Sequence, residues 1–400
     1  MNGCPTTSTP TSSRLDRLIR RYQVTATLLL NTVIVFVVVN MIALGGLIAA
    51  DAFAPERNVV EDKYGSGALA QVYPGMAEAD IRELLGETWR QHRVFQPYVQ
   101  FRESPFRGRY VNVHDAGFRH SADQAPWPPP ADTFSVFFFG GSTTFAYGLP
   151  DGDTVPSQVQ QLLRGRGYAH VAVHNFGAGS YQSTQERIFF GELLARGTRP
   201  DMAIFLDGLN DFAFPHVPQD TDLVVRALEN VGAGSARRLY GLVSAMPISR
   251  AARALLPSTL DAPASGARKT EAAADAALID SVVTRYLANV TQTGGAARAS
   301  GVIPIFIWQP TPYYRYDTSR HPFVDSGGVN RHAAAGYAHA RTRFNGRTVD
   351  PAFLWAADIQ EGVSEPLYVD SVHYTRAMSG RLARWIVDQL PDVGLVPRRN

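Results

Sequence analysis

Four short, nearly continuous apolar runs, set between stretches of helical character, constrain this chain more than any other feature. They are Phe134–Phe139, Val171–Phe176, Met202–Leu206 and Val302–Trp308. Runs this short and this uniformly apolar read as strands covered on both faces. Helices are expected between and after them. Thr154 to Leu163 opens with Asp153 or Thr154 as a cap and Pro156 in its first turn, and Ser183 to Ala195 ends just before Gly197. Ala276 to Ala299 precedes the fourth run, and Ala377 to Leu390 stops before Pro391. Strand–helix–strand alternation implies an α/β fold with a mostly parallel, doubly wound sheet and right-handed crossovers. With 45% apolar and 18% charged residues the chain can bury a sizeable core, which excludes wholesale disorder.

The ends of these runs carry the chemistry. The first breaks on Gly140-Gly141 and then presents Ser142-Thr143. Two glycines permit a sharp turn that holds a serine hydroxyl out at the strand end, as in a nucleophile elbow. Alone, Gly-Gly-Ser is also a common turn. The second run ends in Asn175-Phe176-Gly177-Ala178-Gly179-Ser180-Tyr181 and the third in Asp207-Gly208-Leu209-Asn210-Asp211; Asp370-Ser371-Val372-His373 stands just before the last helix. In open parallel sheets, ligands bind beyond the carboxyl ends of the strands where the strand order reverses. A spatial order of 2-1-3 makes the loops holding Ser142, Gly179/Ser180 and Asn210 neighbours on one rim. Ser142 then serves as nucleophile, His373 takes its proton, and Asp370 fixes the imidazole tautomer and stabilises the imidazolium. The Asn210 amide, the Ser142 backbone N–H and an N–H of the 179–180 turn are candidate donors to an oxyanion.

Together these blocks resemble the SGNH (GDSL-type) hydrolase superfamily, in a membrane-anchored bacterial form. Gly-Gly-Ser-Thr matches the first block, Asn175-x-Gly177 the second, Gly208-x-Asn210-Asp211 the third and Asp370-x-x-His373 the last, in order over roughly residues 130–392. The resemblance implies a flavodoxin-like three-layer α/β/α sandwich that hydrolyses esters without metal or other cofactor. Two positions depart from the pattern: the first block reads GGST rather than GDS, and Ser180 stands five residues after Asn175, where the oxyanion glycine is usual. A backbone N–H survives that change, and either residue 179 or residue 180 can be its source.

Each residue also has a plainer reading. Ser142 can be a turn serine, Asn210 a loop cap, and Asp370-x-x-His373 a helix-start pair; only the four matches in order favour catalysis. Asp211 is expected to cap or orient its loop, and Glu186 to pack or face solvent. His332 and His339, on a polar helical stretch from His332 to Arg343, have no accompanying Glu pattern for zinc. Gly177-x-Gly179 lacks the third glycine of a dinucleotide fingerprint. The aromatics Tyr313, Tyr314 and Tyr316, with Arg315, leave the fourth strand on the active rim and either stack on a sugar, line an acyl pocket or simply pack their loop.

Outside this domain, Val24 to Ala50 carries no charge and exceeds the roughly 20 residues needed to cross a bilayer core. Arg14, Arg17, Arg20 and Arg21 precede it while Asp51 and Glu56 follow, which predicts a cytoplasmic N-terminus and an extracytoplasmic remainder. A cleaved signal peptide is the competing reading, but signal cores run to only about 7–15 residues, which favours a retained anchor. The expected organisation is therefore a cytoplasmic tail over 1–23, a transmembrane helix over 24–50, a stalk and lead-in over 51–130, the hydrolase domain over 131–392 and a tail over 393–400. Within the domain, 212–275 reads as an insertion or lid, with helices at Leu223–Leu228 and Arg238–Leu256 and a flexible linker from Pro257 to Ala274. A formal charge of +2 without a basic run argues against nucleic acid, and the single cysteine, Cys4, excludes a disulfide framework.

The function expected from the blocks is that of a serine esterase acting in the bacterial periplasm on an O-acylated, for instance O-acetylated, envelope glycan or another small ester. The alternatives are an O-acyltransferase with the same triad, a non-catalytic glycan-binding module on the same rim, and a lipid-acting esterase whose lid, Arg238 to Leu256, touches the bilayer.

Overall fold

The computed structural model describes residues 14–53, 66–89, 93–216, 268–323, 330–345 and 349–390, with 243, 246–249 and 251. The chain divides into two compact units, one of residues 1–55 and 225–265, the other of 56–224 and 266–400. Most of the expected 212–275 insertion, including the helix at Leu223–Leu228, most of that at Arg238–Leu256 and residues 257–267 of the linker, lies outside the described residues, as do 1–13, 54–65 and the 391–400 tail; residues 268–274, expected as linker, belong instead to a helix, Arg268–Ala299.

The first unit contains α1 (Arg14–Phe53), forty residues long. At 1.5 Å per residue it measures about 60 Å, roughly twice the hydrocarbon thickness of a bilayer. Leu28, Leu29, Leu30, Val33, Ile34 and Val35 are all exposed along it. Among the described residues it is the one helix long and apolar enough to cross a membrane, by length and composition. The helix starts at Arg14, so Arg14, Arg17, Arg20 and Arg21 lie on its first turns, ahead of the expected 24–50 span.

In the second unit, five parallel strands form a sheet in the order β6-β5-β7-β8-β9. These are β5 (Phe134–Gly140), β6 (Val171–Asn175), β7 (Met202–Asp207), β8 (Ile303–Trp308) and β9 (Phe353–Trp355). The first four are the four apolar runs, and β6, β5 and β7 stand in the anticipated 2-1-3 order. β9 has only three half-buried residues, too few for a period to show. Every position of β5, β6 and β7 is buried, because helices cover both faces.

On one face, Phe137, Phe139, Phe205 and Phe306 pack with Phe190 and Leu193 of α6 (Ser183–Ala195), Val283 and Tyr286 of α8 (Arg268–Ala299) and Tyr337 of α9 (Ala333–Phe344). On the other, Val136, Phe138, Ile204 and Ile305 meet Val159 and Leu163 of α5 (Val155–Gly165) and Leu382 and Ile386 of α10 (Arg376–Gln389). The result is a three-layer α/β/α sandwich. Thr154 caps α5 by accepting the Ser157 N–H at 3.1 Å, and Thr375 caps α10 by accepting that of Met378 at 3.2 Å.

A third core was not foreseen. From Ser66 on, the segment expected to be a stalk and lead-in is packed: α2 (Ser66–Val72) and α3 (Glu78–Trp89) bury Leu69, Leu84 and Leu85 against Val111, Val113, Phe145 and Tyr147. Two antiparallel pairs follow, β1 (Arg93–Gln96) with β2 (Gln100–Glu103) and β3 (Phe106–Arg107) with β4 (Asn112–Val113). The short helices α4 (Ser142–Phe145) and α7 (Leu209–Ala213) leave the ends of β5 and β7.

Candidate active site

Ser142 follows β5 by one residue and opens α4, so its N–H, in the first turn of a helix, has no partner within that helix. The two glycines before it are sterically required. A Cβ at Gly140 would lie 2.0 Å from the Thr144 hydroxyl oxygen, and one at Gly141 would lie 2.1 Å from the Asn210 amide nitrogen. The same crowding shows how close the Asn210 side chain comes to the serine turn.

The Asp370–His373 turn reaches this point from the other end of the chain. His373 Nε2 stands 2.7 Å from Ser142 Oγ, and His373 Nδ1 stands 2.6 Å from Asp370 Oδ2. Asp370 Oδ1 accepts the backbone N–H groups of Val372 at 2.9 Å and His373 at 2.8 Å. Burial alone would raise the Asp370 pKa, but the imidazole and these hydrogen bonds outweigh it and hold the carboxyl below its ordinary value. It is thus poised as a charged partner for an imidazolium. The ring of His373 stacks on Tyr147 at 5.3 Å and meets the edge of Trp89 at 5.7 Å.

The other expected donors surround the same turn. Asn210 gives one amide N–H to the Tyr181 carbonyl at 2.7 Å, and the amide has a second. Gly179 gives its N–H to Glu103 Oε1 at 2.8 Å, so in this structure that donor is engaged by a carboxylate. Ser180 adopts φ 66°, the left-handed region that glycine favours, and accepts a hydrogen bond from Arg93 at 3.3 Å. Asp211 accepts the Ser183 hydroxyl at 2.6 Å, the loop-orienting part expected of it. Glu186 is buried rather than on the surface, and burial together with Asp207 raises its pKa.

The rim aromatics divide. Tyr314 packs on Tyr337 and Trp355, whereas Tyr313, Arg315 and Tyr316 line a cavity of about 270 Å³ with His321 and Ser371, the residue after Asp370. His339 pairs with Asp280 at 2.9 Å and His332 with Asp275 at 3.7 Å, so each has a surface carboxylate partner.

Three groups that reach the site were missed by sequence reasoning: Trp89, Glu103 and Arg119. Arg119, fully buried, donates to the Phe145 carbonyl at 2.6 Å, to the Ala146 carbonyl at 2.7 Å and to that of Leu149, and pairs with Asp151 at 3.0 Å. It thereby holds the loop that leaves the nucleophile helix. One signal was available for Glu103. Val99, Phe101 and Glu103 fall on one face of an alternating stretch, and a carboxylate in register with two core residues must find a buried partner.

A serine, an imidazole and a carboxylate so disposed, beside amide donors, are equipped for acyl transfer through a covalent intermediate. No protein-family model matches the chain, and no curated protein is significantly similar to it. Among solved structures it is similar to a lipase/acylhydrolase from Enterococcus faecalis, with 13% identity over 66% of this chain and 99% of that one and a TM-score of 0.35. It is also similar to a psychrotrophic esterase, EstA, from Pseudoalteromonas sp., with 12% identity over 64% and 97% and a TM-score of 0.31. An acetyl xylan esterase, AlAXEase, shows 13% identity over 64% and 99%, with a TM-score of 0.35. These likenesses are distant, and the chemistry of the rim stands on its own distances.

Proposed function

We propose that this chain is an SGNH-type serine esterase. The observation that carries the reading is the continuous contact Ser142 Oγ–His373 Nε2–Asp370, at 2.7 and 2.6 Å. Ser142 attacks the ester carbonyl while His373 accepts its proton. The negative charge that develops on the carbonyl oxygen is met by the Ser142 N–H, an N–H of the 179–180 turn and the second Asn210 N–H. His373 then returns the proton to the departing alcohol, and water, activated by the same imidazole, releases the acyl group.

The substrate class we propose is a short acyl ester, such as an O-acetyl group, on an envelope glycan. Two features support it. Tyr313 and Tyr316 line a cavity next to the Asp370–His373 turn, and aromatic rings stack on sugars. The asymmetry of charge around the apolar helix favours placement beyond a bacterial cytoplasmic membrane, with the anchor retained.

The test is labelling of the full chain by a fluorophosphonate, together with turnover of nitrophenyl acetate and longer-chain nitrophenyl esters. Labelling and turnover lost in Ser142→Ala, with the acetyl ester preferred, are the expected results. Folded wild-type protein that neither labels nor turns over ester would replace the enzyme with a binding module on the same rim. A preference for long chains that rises with micelles would replace the glycan ester with a lipid.

A further inference from the structure

Glu103 lies outside the segment that resembles a hydrolase, yet it ends beneath the proposed oxyanion turn. Its side chain is buried, and Oε1 accepts the Gly179 N–H at 2.8 Å and the Tyr147 hydroxyl at 3.0 Å. Arg93, on the partner strand β1, approaches the same oxygen at 3.8 Å, and Oε2 has no partner among the described residues. A side chain at 179 would have to displace its neighbours: a Cβ there would lie 2.3 Å from the Arg93 guanidinium and 2.4 Å from the Tyr147 hydroxyl. Glycine at that position lets the carboxylate come directly onto the backbone.

The rest of the strip around β2 grips the same turn. The Tyr181 hydroxyl donates to the Phe101 carbonyl, and the Gln185 amide donates to that of Val99 at 3.0 Å. Between these anchors sits Ser180 in the left-handed region, a conformation that costs a non-glycine residue about 1–2 kcal/mol. Tyr147, the second donor to Glu103, stacks on the His373 ring at 5.3 Å. Burial and the neighbouring Glu103 push the Tyr147 phenol well above its ordinary pKa, so it stays protonated and able to donate.

From this geometry we infer that Glu103 is a positioning residue of the esterase: by holding the Gly179 N–H it keeps Ser180 in the left-handed conformation that aims the oxyanion donor, and through Tyr147 it steadies the wall of His373. The inference rests on the serine-esterase reading above. It also gives a reason why this chain dispenses with glycine at 180, since the conformation that glycine would adopt freely is imposed from β2.

The experiment is a two-residue cycle in the full chain with nitrophenyl acetate as probe. Glu103→Ala is expected to lower kcat about a hundredfold with KM little changed, the size of effect that follows a small misplacement of catalytic groups. Ser180→Gly alone supplies the reference background against which the effect of Glu103→Ala is read a second time. In the double variant, Ser180→Gly should restore kcat by roughly 5–30-fold, because glycine needs no external restraint to reach this conformation. A role confined to folding would give no such rescue. Should Glu103→Ala not fold, Glu103→Gln reads the same coupling, with a smaller kcat loss that Ser180→Gly again relieves. Unchanged kcat in the Glu103 variants, or strictly additive effects with Ser180→Gly, would overturn the inference while leaving the esterase intact. Turnover that survives Ser142→Ala overturns both.

Discussion

Two regions converge on Ser142, and they are built on different principles. On the carboxyl rim of the sheet, Ser142, Ser180 and Asn210 each sit a few residues past a fully buried strand. Parallel register fixes where those strands end, with Phe138 opposite Asn175 on one side and Gly140 opposite Leu206 on the other, so the turns that follow them are neighbours. In the lead-in, residues 66–121, no sheet does this work. Trp89, Glu103 and Arg119 arrive from a helix end, a two-stranded ribbon and a bridge residue; Glu103 and Arg119 hold the rim through side chains bonded to backbone atoms, and Trp89 through ring contacts with Tyr147 and His373. The rim supplies the candidate reacting groups; the lead-in supplies contacts that restrain their geometry. A sheet can therefore place chemistry roughly, while long-range side-chain contacts set its final angles.

That division can be broken most sharply at Arg119. Its removal, as Arg119→Met, takes the guanidinium from Asp151 and from the Phe145, Ala146 and Leu149 carbonyls, and loss of one member of a buried ion pair costs up to about 3–5 kcal/mol. Urea unfolding should show that loss, along with reduced turnover. A stable, fully active variant would mean that the lead-in is not what holds the nucleophile loop.

On the rim the opposite pattern is expected. Asn210→Ala should lower kcat by about 10²–10³-fold, the usual cost of one oxyanion donor, while the unfolding midpoint moves little. A large stability loss with kcat intact would reduce Asn210 to a support for the Tyr181 carbonyl, to which it donates at 2.7 Å.

The smallest effect concerns the underside of the rim. Burial raises the pKa values of Glu186, Asp207 and Asp211, so the folded chain keeps protons that the unfolded chain has already released. Folded-state values above unfolded ones make stability greatest below the unfolded carboxylate pKa and progressively smaller as pH rises toward the folded values. The slope is at most about 1.4 kcal/mol per pH unit for each proton retained. Glu186→Gln, which mimics the protonated form, should flatten that decline in unfolding measurements as pH rises above the ordinary carboxylate range. An unchanged slope would show that Glu186 is ionised in the fold.

Legibility in the sequence follows the same line. The apolar runs announced β5 to β8 and the residues after them announced the turns of Ser142 and Asn210, because a buried strand and the sharp turn that ends it are local in sequence; the Asp370–His373 pair was legible instead from its place just before the last helix. The Gly179–Ser180 turn was visible but its donor was not: the engagement of the Gly179 N–H depends on a residue 76 positions away. The aromatic lead-in showed no period because its strands are two to four residues long, too short to declare one.

The amino-acid sequence by itself determined the layered sandwich, the order of the rim blocks and the apolar N-terminal helix, since hydrophobic periodicity and glycine turns act over a few residues. Tertiary structure alone decided that Glu103 engages the Gly179 N–H, that Ser180 is left-handed, and that a segment ahead of β5 packs against the rim. Those outcomes rest on contacts between residues tens of positions apart, whose partners no local pattern specifies.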